Sequence, residues 1–196
     1  MGTKSSVSAK IAAAALCFLL WSCSSEQPKS SNAGGNASPS LPVNSQPQEA
    51  EVNACSFFSL ADAQQIMGAP MKVSPGSRAA KVCMYEEVAA RPNSMGPGHV
   101  SLTVNKRGSQ AEEATGWARI REVRHLEAGQ KNVSALNGIG DEAWWDGHVE
   151  KGKIGVAGII ARKGNSDFML DSMVLEYVGS PDAMKSIAKR IAGQLN

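Results

Sequence analysis

The sequence lacks an excess of charge of either sign. It contains 20 Lys and Arg against 18 Asp and Glu in 196 residues, which leaves a formal net charge of +2 at pH 7. A nucleic-acid-binding domain shows a basic face or stripe, and docking on anionic lipid through side chains needs a basic cluster. The composition therefore argues against a nucleic-acid partner and against membrane attachment through basic residues.

Long apolar runs are also scarce beyond the first residues of the chain. The longest later candidate, Ile154–Ala161, is short and is interrupted by Gly155 and Gly158. A membrane-spanning helix needs about 20 predominantly apolar residues. No spanning helix is predicted after residue 22.

The usual motifs of metal and nucleophilic catalysis are missing. His99, His125 and His148 are scattered and form no HExxH or Cys–His spacing of the kind that binds zinc. There is no Gly-x-Ser-x-Gly elbow of an α/β-hydrolase. The glycines of Gly138–Ala143 are spaced superficially like a dinucleotide loop, but the context indicates a tight turn that leads into a strand. We therefore predict no metal, no cofactor and no catalytic residue.

What the sequence does contain begins with a signal at its N-terminus. Lys4 and Lys10 precede the uncharged apolar segment Ile11–Leu20, and Leu20-Trp21-Ser22-Cys23 follows. A basic start, a short apolar core and a small residue before the cleavage point indicate a secretory signal peptide. Because a Cys follows Ser22, the segment resembles a bacterial lipoprotein signal, although Trp21 departs from the usual small or branched residue.

The resemblance implies a location as well as a modification. It implies that residues 1–22 are removed and that Cys23 then carries the lipid, palmitate included, which anchors the protein to a membrane of the bacterial cell envelope. Ser24 stands where an Asp would resemble an inner-membrane retention signal. In a cell with two membranes, we therefore expect the outer membrane, with the protein facing the periplasm.

A composition change separates the anchor from a folded domain. Residues 23–50 are rich in Ser, Asn, Gln, Pro, Gly and Ala, with only Leu41 and Val43 as larger apolar residues. Such a segment buries too little apolar surface to offset the entropy of ordering. We interpret it as a disordered linker, and residues 51–196 as one domain of ordinary length.

Two cysteines remain in this domain, Cys55 and Cys83. An even pair in an exported domain favours a disulfide, because the compartment is oxidising. A metal site and a reactive thiol are the competing interpretations, and the first is weak because no His lies nearby in the sequence. We predict that Cys55 and Cys83 are bonded.

Periodicity and cap residues indicate three helices and at least five strands in the domain. Asp146-Gly147 is a turn signal of the tight hairpin kind, and the last helix carries the cleanest apolar stripe of the chain. The pattern predicts an α+β fold: an antiparallel sheet with helices packed mainly on one face. The predicted helices are Leu60–Met67, a segment from the Ser109 cap to near Arg124, and one that begins at Ser180-Pro181-Asp182; the predicted strands are Val82–Val88, Val100–Lys106, Glu142–Asp146, Ile154–Arg162 and Phe168–Tyr177.

The order of these features resembles that of a known group of proteins. The relevant motifs are Cys55 before a short helix, Met67-Gly68 at its end, Cys83-Met84-Tyr85, Gly138–Ala143 and the final amphipathic helix. The order is similar to that of small uncharacterised bacterial cell-envelope lipoproteins of the domain-of-unknown-function type. The resemblance implies an α+β fold and the Cys pair, and it carries over no catalytic residues.

Trp144 and Trp145 are the sharpest candidate for a binding site. If their segment is a strand, the two indoles face opposite sides of the sheet. One indole then serves the core, and the other faces water, a helix or a ligand. Because acids surround Trp144, we expect Trp144 to be the exposed one. Burial of both under helices is the alternative.

An acidic cluster near His148 accompanies the two indoles. It comprises Asp141, Glu142, Asp146 and Glu150. Paired carboxylates can do acid–base chemistry or bind a hard cation. The spacing matches no calcium loop, and we interpret the four acids as solvated turn charges.

Together these observations favour a non-catalytic domain that binds a partner or ligand while tethered to the membrane. The candidate partners are an envelope protein and a cell-wall glycan. An envelope enzyme that acts on cell-wall material is one alternative, and a purely structural tether is another.

Overall fold

The computed structural model describes residues 52–77, 80–92 and 94–195. The predicted signal peptide, the lipidation site Cys23 and the linker lie outside these residues.

Three helices and seven strands make up the described part of the chain, together with a short 3-10 helix at Ala54–Ser56. The helices are α1 (Leu60–Met67), α2 (Gln110–Arg124) and α3 (Pro181–Gln194). The strands are β1 (Met71–Val73), β2 (Val82–Glu87), β3 (His99–Lys106), β4 (Val133–Leu136), β5 (Glu142–Glu150), β6 (Lys153–Lys163) and β7 (Ser166–Met173).

All seven strands belong to one open antiparallel sheet in the order β1-β2-β3-β7-β6-β5-β4. Strands β1 to β3 follow one another in space as in sequence, and so do β4 to β7. The two groups meet where β3 pairs with β7, from His99 opposite Met173 to Lys106 opposite Ser166. The sheet therefore consists of two meanders joined along a single seam.

The first face of the sheet carries the main core, and α1 and α3 cover it. Leu102, Ile159 and Phe168 point to this face, and each is fully buried. The apolar stripe of α3 packs here, as its period predicts: Met184, Ile187, Ala188, Ile191 and Leu195 are all buried. Burying an aliphatic side chain of this size contributes about 1.5–3 kcal/mol, so this face supplies most of the hydrophobic stabilisation.

The second face is covered by α2 over part of its width. Trp117 of α2 packs with Leu126, Trp144 and Ile160 in a smaller apolar cluster. The predicted α+β sheet with helices mainly on one face is thus confirmed, with α1 and α3 on the first face and α2 on the second.

Cap residues set the helix boundaries where the sequence predicts them. At α1, the Ser59 side chain accepts from the backbone N–H of Asp62, and the Asp62 carboxylate accepts from that of Ser59. Gly68 ends the helix in the left-handed conformation, with φ of 63°. The Ser109 and Ser180 side chains likewise accept from the backbone N–H groups of Glu112 and Ala183, without the reciprocal bond seen at α1.

The hairpin turn predicted at Asp146-Gly147 is wrong. Strand β5 continues to Glu150, with a register irregularity between Gly147 and Val149. A Cβ on Gly147 would lie 2.6 Å from the Cα of Ala157. This glycine therefore allows β5 and β6 to approach each other closely and does not form a turn. Strands β1 and β4 were not predicted, because each is short and lies at an edge.

The predicted disulfide is present. Cys55 and Cys83 are bonded across a sequence separation of 28 residues, with their Cα atoms 4.9 Å apart. The bond fixes the 3-10 helix to β2, next to the start of α1. In the described residues, no helix combines the length and the apolar character needed to cross a membrane.

Candidate functional site

Trp144 and Trp145 lie on opposite faces of the sheet, as alternation predicts. Trp145 belongs to the main core, and Trp144 belongs to the cluster beneath α2. The expectation that Trp144 is exposed is wrong: Trp144 is 7% exposed and Trp145 is 6% exposed. Helix α2 covers the face on which the sequence suggested a free indole, so neither ring offers a broad surface for stacking.

Glu142 explains why acids surround Trp144 in the sequence. Its carboxylate accepts hydrogen bonds from the indole N–H of Trp144 at 3.0 Å and of Trp117 at 2.8 Å. Burial raises the pKa of Glu142, but the two indole hydrogen bonds and the guanidinium groups of Arg121 and Arg162 outweigh it and hold the pKa below its ordinary value. Glu142 is therefore an anionic anchor for two tryptophans.

The other acids of the predicted cluster do not converge. Asp141 accepts from the Lys163 ammonium at 2.7 Å and from the backbone N–H of Gly164 at 2.8 Å, which lowers its pKa. Asp146 lies 3.8 Å from Arg124. Asp141 and Asp146 thus each have their own partner, and the interpretation of the four acids as solvated turn charges is wrong for Glu142, Asp146 and Glu150, which lie in strand β5. The described residues contain no group of three or more His, Cys, Asp or Glu placed to hold a metal ion.

A second polar cluster lies under α2 and was not predicted from the sequence. Glu113 from the first turn of α2 is fully buried, and so is Asp167 of β7 at 1% exposure. The Arg107 guanidinium reaches both, at 3.5 Å from Glu113 Oε2 and 3.3 Å from Asp167 Oδ2. The Asn105 amide donates to Asp167 Oδ1 at 2.7 Å.

Two buried carboxyl groups thus share one guanidinium. Burial raises the pKa of Glu113 to about 7, with the negative charge of Asp167 acting in the same direction and Arg107 opposing it. A protonated carboxyl group avoids charge repulsion with a neighbouring carboxylate. The cluster fixes Arg107 at the edge of α2.

Beside this cluster lies a groove of about 550 Å³ between α2 and the second face of the sheet. One side of α2 forms much of its wall, since positions three and four apart share a helix face. The lining residues are Arg107, Glu112, Thr115, Gly116, Arg119, Ile120, Val123, Arg124 and Met169.

The lining of the groove combines cationic and apolar side chains. Three of its lining residues are arginines, and one is an acid. Arg124 lies 3.8 Å from Asp146, contacts the Met169 sulfur and interacts electrostatically with Asp171. Arg119 has no ionic partner in the part of the chain that the structure describes. The arginine charge is therefore incompletely neutralised, in contrast to that at Arg107.

Sequence reasoning missed the groove because its parts come from distant segments. Arg107 and Met169 lie on either side of α2 in the sequence, and only the β3–β7 pairing brings them together. One signal was present within α2 itself. Thr115, Arg119 and Val123 recur every four residues and form a mixed cationic and apolar stripe that the main core does not use.

Comparison of the chain with protein-family models, with curated proteins and with solved structures finds no match.

Proposed function

We propose that this protein is a lipid-anchored bacterial cell-envelope protein whose α+β domain binds a ligand without catalysing a reaction. The lipoprotein-like signal ending at Cys23 supports the anchor. The Cys55–Cys83 disulfide supports an exported domain, because such bonds persist in oxidising compartments.

The observation that carries the binding function is the groove beside α2. Its volume of about 550 Å³ falls within the usual range of small-molecule sites. Guanidinium groups recognise carboxylates and phosphates, often through paired hydrogen bonds. Ile120, Val123 and Met169 offer an apolar surface next to them. The fitting ligand is an amphipathic anion with one acidic head group and an apolar body.

The test uses the full-length protein in isolated membranes and a photoreactive long-chain fatty acid as the probe. We expect crosslinked peptides from α2 and from the segment around Met169. Arg119→Glu should reduce the yield several-fold because it reverses one positive charge of the groove lining. Lys189→Glu, an equal charge reversal on the exposed side of α3, is the matched control.

A photoreactive long-chain alcohol tests whether the charge matters. The alcohol has the same apolar body and no acidic group, so it should label the groove poorly. Equal labelling by both probes, or labelling spread over the first face of the sheet, would contradict the proposed ligand class.

The anchor has a separate test. Cells grown with a fatty-acid analogue should incorporate the label into the protein, and Cys23→Ala should abolish it. Label retained on the Cys23→Ala variant would overturn the lipid-anchor proposal and leave the groove proposal standing.

A further inference from the structure

A cluster of soft donor atoms lies on the second face of the sheet, outside the groove beside α2. His99 opens β3 and pairs directly with Met173 at the end of β7. The imidazole Nε2 lies 3.2 Å from the Met173 sulfur. Because the two residues are direct partners in the β3–β7 ladder, the backbone holds their side chains next to each other on one face of the sheet.

A third soft donor comes from the loop before β3. Met95 lines the same small cavity, of about 200 Å³, as His99 and Met173. Its side chain is 94% exposed, and a methionine with three rotatable bonds adapts readily to a new partner. Met95 can therefore turn its thioether toward the other two donors without unpacking any core.

The loop that presents Met95 is held in place on both sides. The Ser94 hydroxyl lies 3.0 Å from the Arg91 carbonyl and 2.8 Å from the Gly96 carbonyl. The backbone N–H of Gly98 donates to the buried carboxylate of Glu87 at 2.9 Å. These bonds hold the loop beside the cavity that His99 and Met173 line.

The side chains around this cavity are mostly apolar, and the Ser94 hydroxyl, which also lines it, is bonded within its own loop. Val156, Val174 and Leu175 form its walls together with the loop residues. The carboxylate of Glu86, which pairs with His99 in the ladder, is itself occupied by Lys72 and Ser74. Thioether sulfur favours Cu(I) over Ca²⁺, Mg²⁺ and Mn²⁺, which prefer oxygen.

The spacing of the two fixed donors also suits one metal ion. With bonds of about 2.0 Å to imidazole nitrogen and about 2.3 Å to sulfur, as in zinc sites, a separation of 3.2 Å gives an N–metal–S angle of roughly 95°. If the imidazole nitrogen and the sulfur move slightly further apart, this angle reaches the tetrahedral or trigonal range.

We propose that His99, Met173 and Met95 form a binding site for Cu(I). The imidazole and the Met173 thioether are preorganised by the sheet, and the Met95 thioether completes the site from the loop. The site is separate from the groove and does not depend on the ligand proposed there. The competing explanation is a simple hydrogen bond between the imidazole and the Met173 sulfur.

The test uses the full-length protein with free thiols alkylated and the disulfide left intact, so that cysteine does not bind the metal. The methionines carry ¹³C-labelled methyl groups, and Ag(I) serves as a redox-stable substitute for Cu(I). We expect saturable shifts of the Met95 and Met173 methyl signals at one equivalent, with the buried Met67 and Met184 signals unmoved.

Cu(I) affinity is then measured by competition with bicinchoninate. Met173→Leu and Met95→Leu preserve side-chain volume and should each weaken binding about tenfold or more. Met84→Leu removes a thioether from the same sheet face at a distance from His99 and is the matched control. The methyl spectrum of each variant reports that the fold is retained.

Three results would overturn the site: no saturable shift of the Met173 methyl, equal weakening by Met84→Leu, or unchanged Cu(I) affinity in Met95→Leu. The last would contradict the three-donor site in particular.

Discussion

The indole nitrogen of Trp117 on α2 lies 2.8 Å from the carboxylate of Glu142 on β5. The same carboxylate accepts from Trp144, so one acid ties the helix and the strand beneath it together. Arg121 and Arg162 lie 3.4 Å from its two oxygens. Glu142 is thus the polar centre of the interface between α2 and the sheet.

Removing the Glu142 carboxylate should destabilise the domain more than removing that of the adjacent Asp141. Glu142→Ala leaves two largely buried indole N–H groups without their acceptor, and each such loss costs about 1–3 kcal/mol. We expect the free energy of unfolding to fall by about 2–6 kcal/mol in denaturant titrations. Asp141→Ala, at an exposed position, should cost less than about 1 kcal/mol; equal losses for the two variants would contradict this role of Glu142.

Glu113 should give the protein a pH-dependent stability. The ordinary pKa of 4.5 applies in the unfolded chain, and the folded value is about 7. Between these values the folded state binds more protons, so the contribution of Glu113 to stability falls as the pH rises from about 4.5 to about 7 and is constant above.

Glu113→Gln removes this dependence because it places a neutral side chain of nearly the same shape at this buried position. Unfolding titrations from pH 4.5 to pH 8.5 should therefore show a flatter profile for the variant, with the difference no larger than a few kcal/mol. Glu112→Gln, one position earlier and exposed, should follow the wild-type profile. A Glu113→Gln profile parallel to wild type would show that Glu113 is already ionised at low pH.

Replacing either of the two adjacent tryptophans should lower the free energy of unfolding by a similar amount. The two replacements should loosen different helices. Trp144→Ala and Trp145→Ala each remove a buried indole and should cost about 3–5 kcal/mol. Hydrogen exchange distinguishes them, because Trp144 packs under α2 and Trp145 packs in the main core near Lys185 of α3. We expect faster exchange in α2 for the first variant and in α3 for the second; faster exchange in the same helix for both would contradict their placement on opposite faces.

Two glycines provide a paired test of close packing. Gly193 in α3 is exposed, and a Cβ there would meet nothing within 4 Å. Gly193→Ala should therefore raise stability by about 0.5–1 kcal/mol through helix propensity. Gly147→Ala should lower it by more than this amount, because the added Cβ clashes with Ala157 on β6. Thermal unfolding should show a higher melting temperature for Gly193→Ala and a lower one for Gly147→Ala than for the wild type.

The disulfide should stabilise the domain. Because it joins the 3-10 helix to β2, we expect strands β4 to β7 to form without it. Closing a 28-residue separation contributes about 3–4 kcal/mol in the chain-entropy model. Cys55→Ser should lose this amount and should become insensitive to reductant in denaturant unfolding. Two alkylatable thiols at Cys55 and Cys83 in freshly isolated, unreduced protein would contradict the bond.

Local signals in the sequence predicted the helices well and the sites poorly. The Ser59, Ser109 and Ser180 caps act within three residues of the chain, so their effect can be read from neighbouring letters. The burial of Trp144 depends on α2, whose apolar residues recur with too weak a period to show which face it covers. His99 and Met173 are 74 residues apart, and their contact exists only through strand pairing.

The same separation bears on how the chain folds. Strands β5, β6 and β7 are joined by short connections and can pair locally, and so can β2 with its neighbours. The pairing of β3 with β7, by contrast, closes a long loop that contains α2 and three strands. Pairing across long loops costs more chain entropy before it gains contacts. We expect the two meanders to form early and the seam to close late, so that the His99–Met173 pair and the groove beside α2 are among the last features of the domain to assemble.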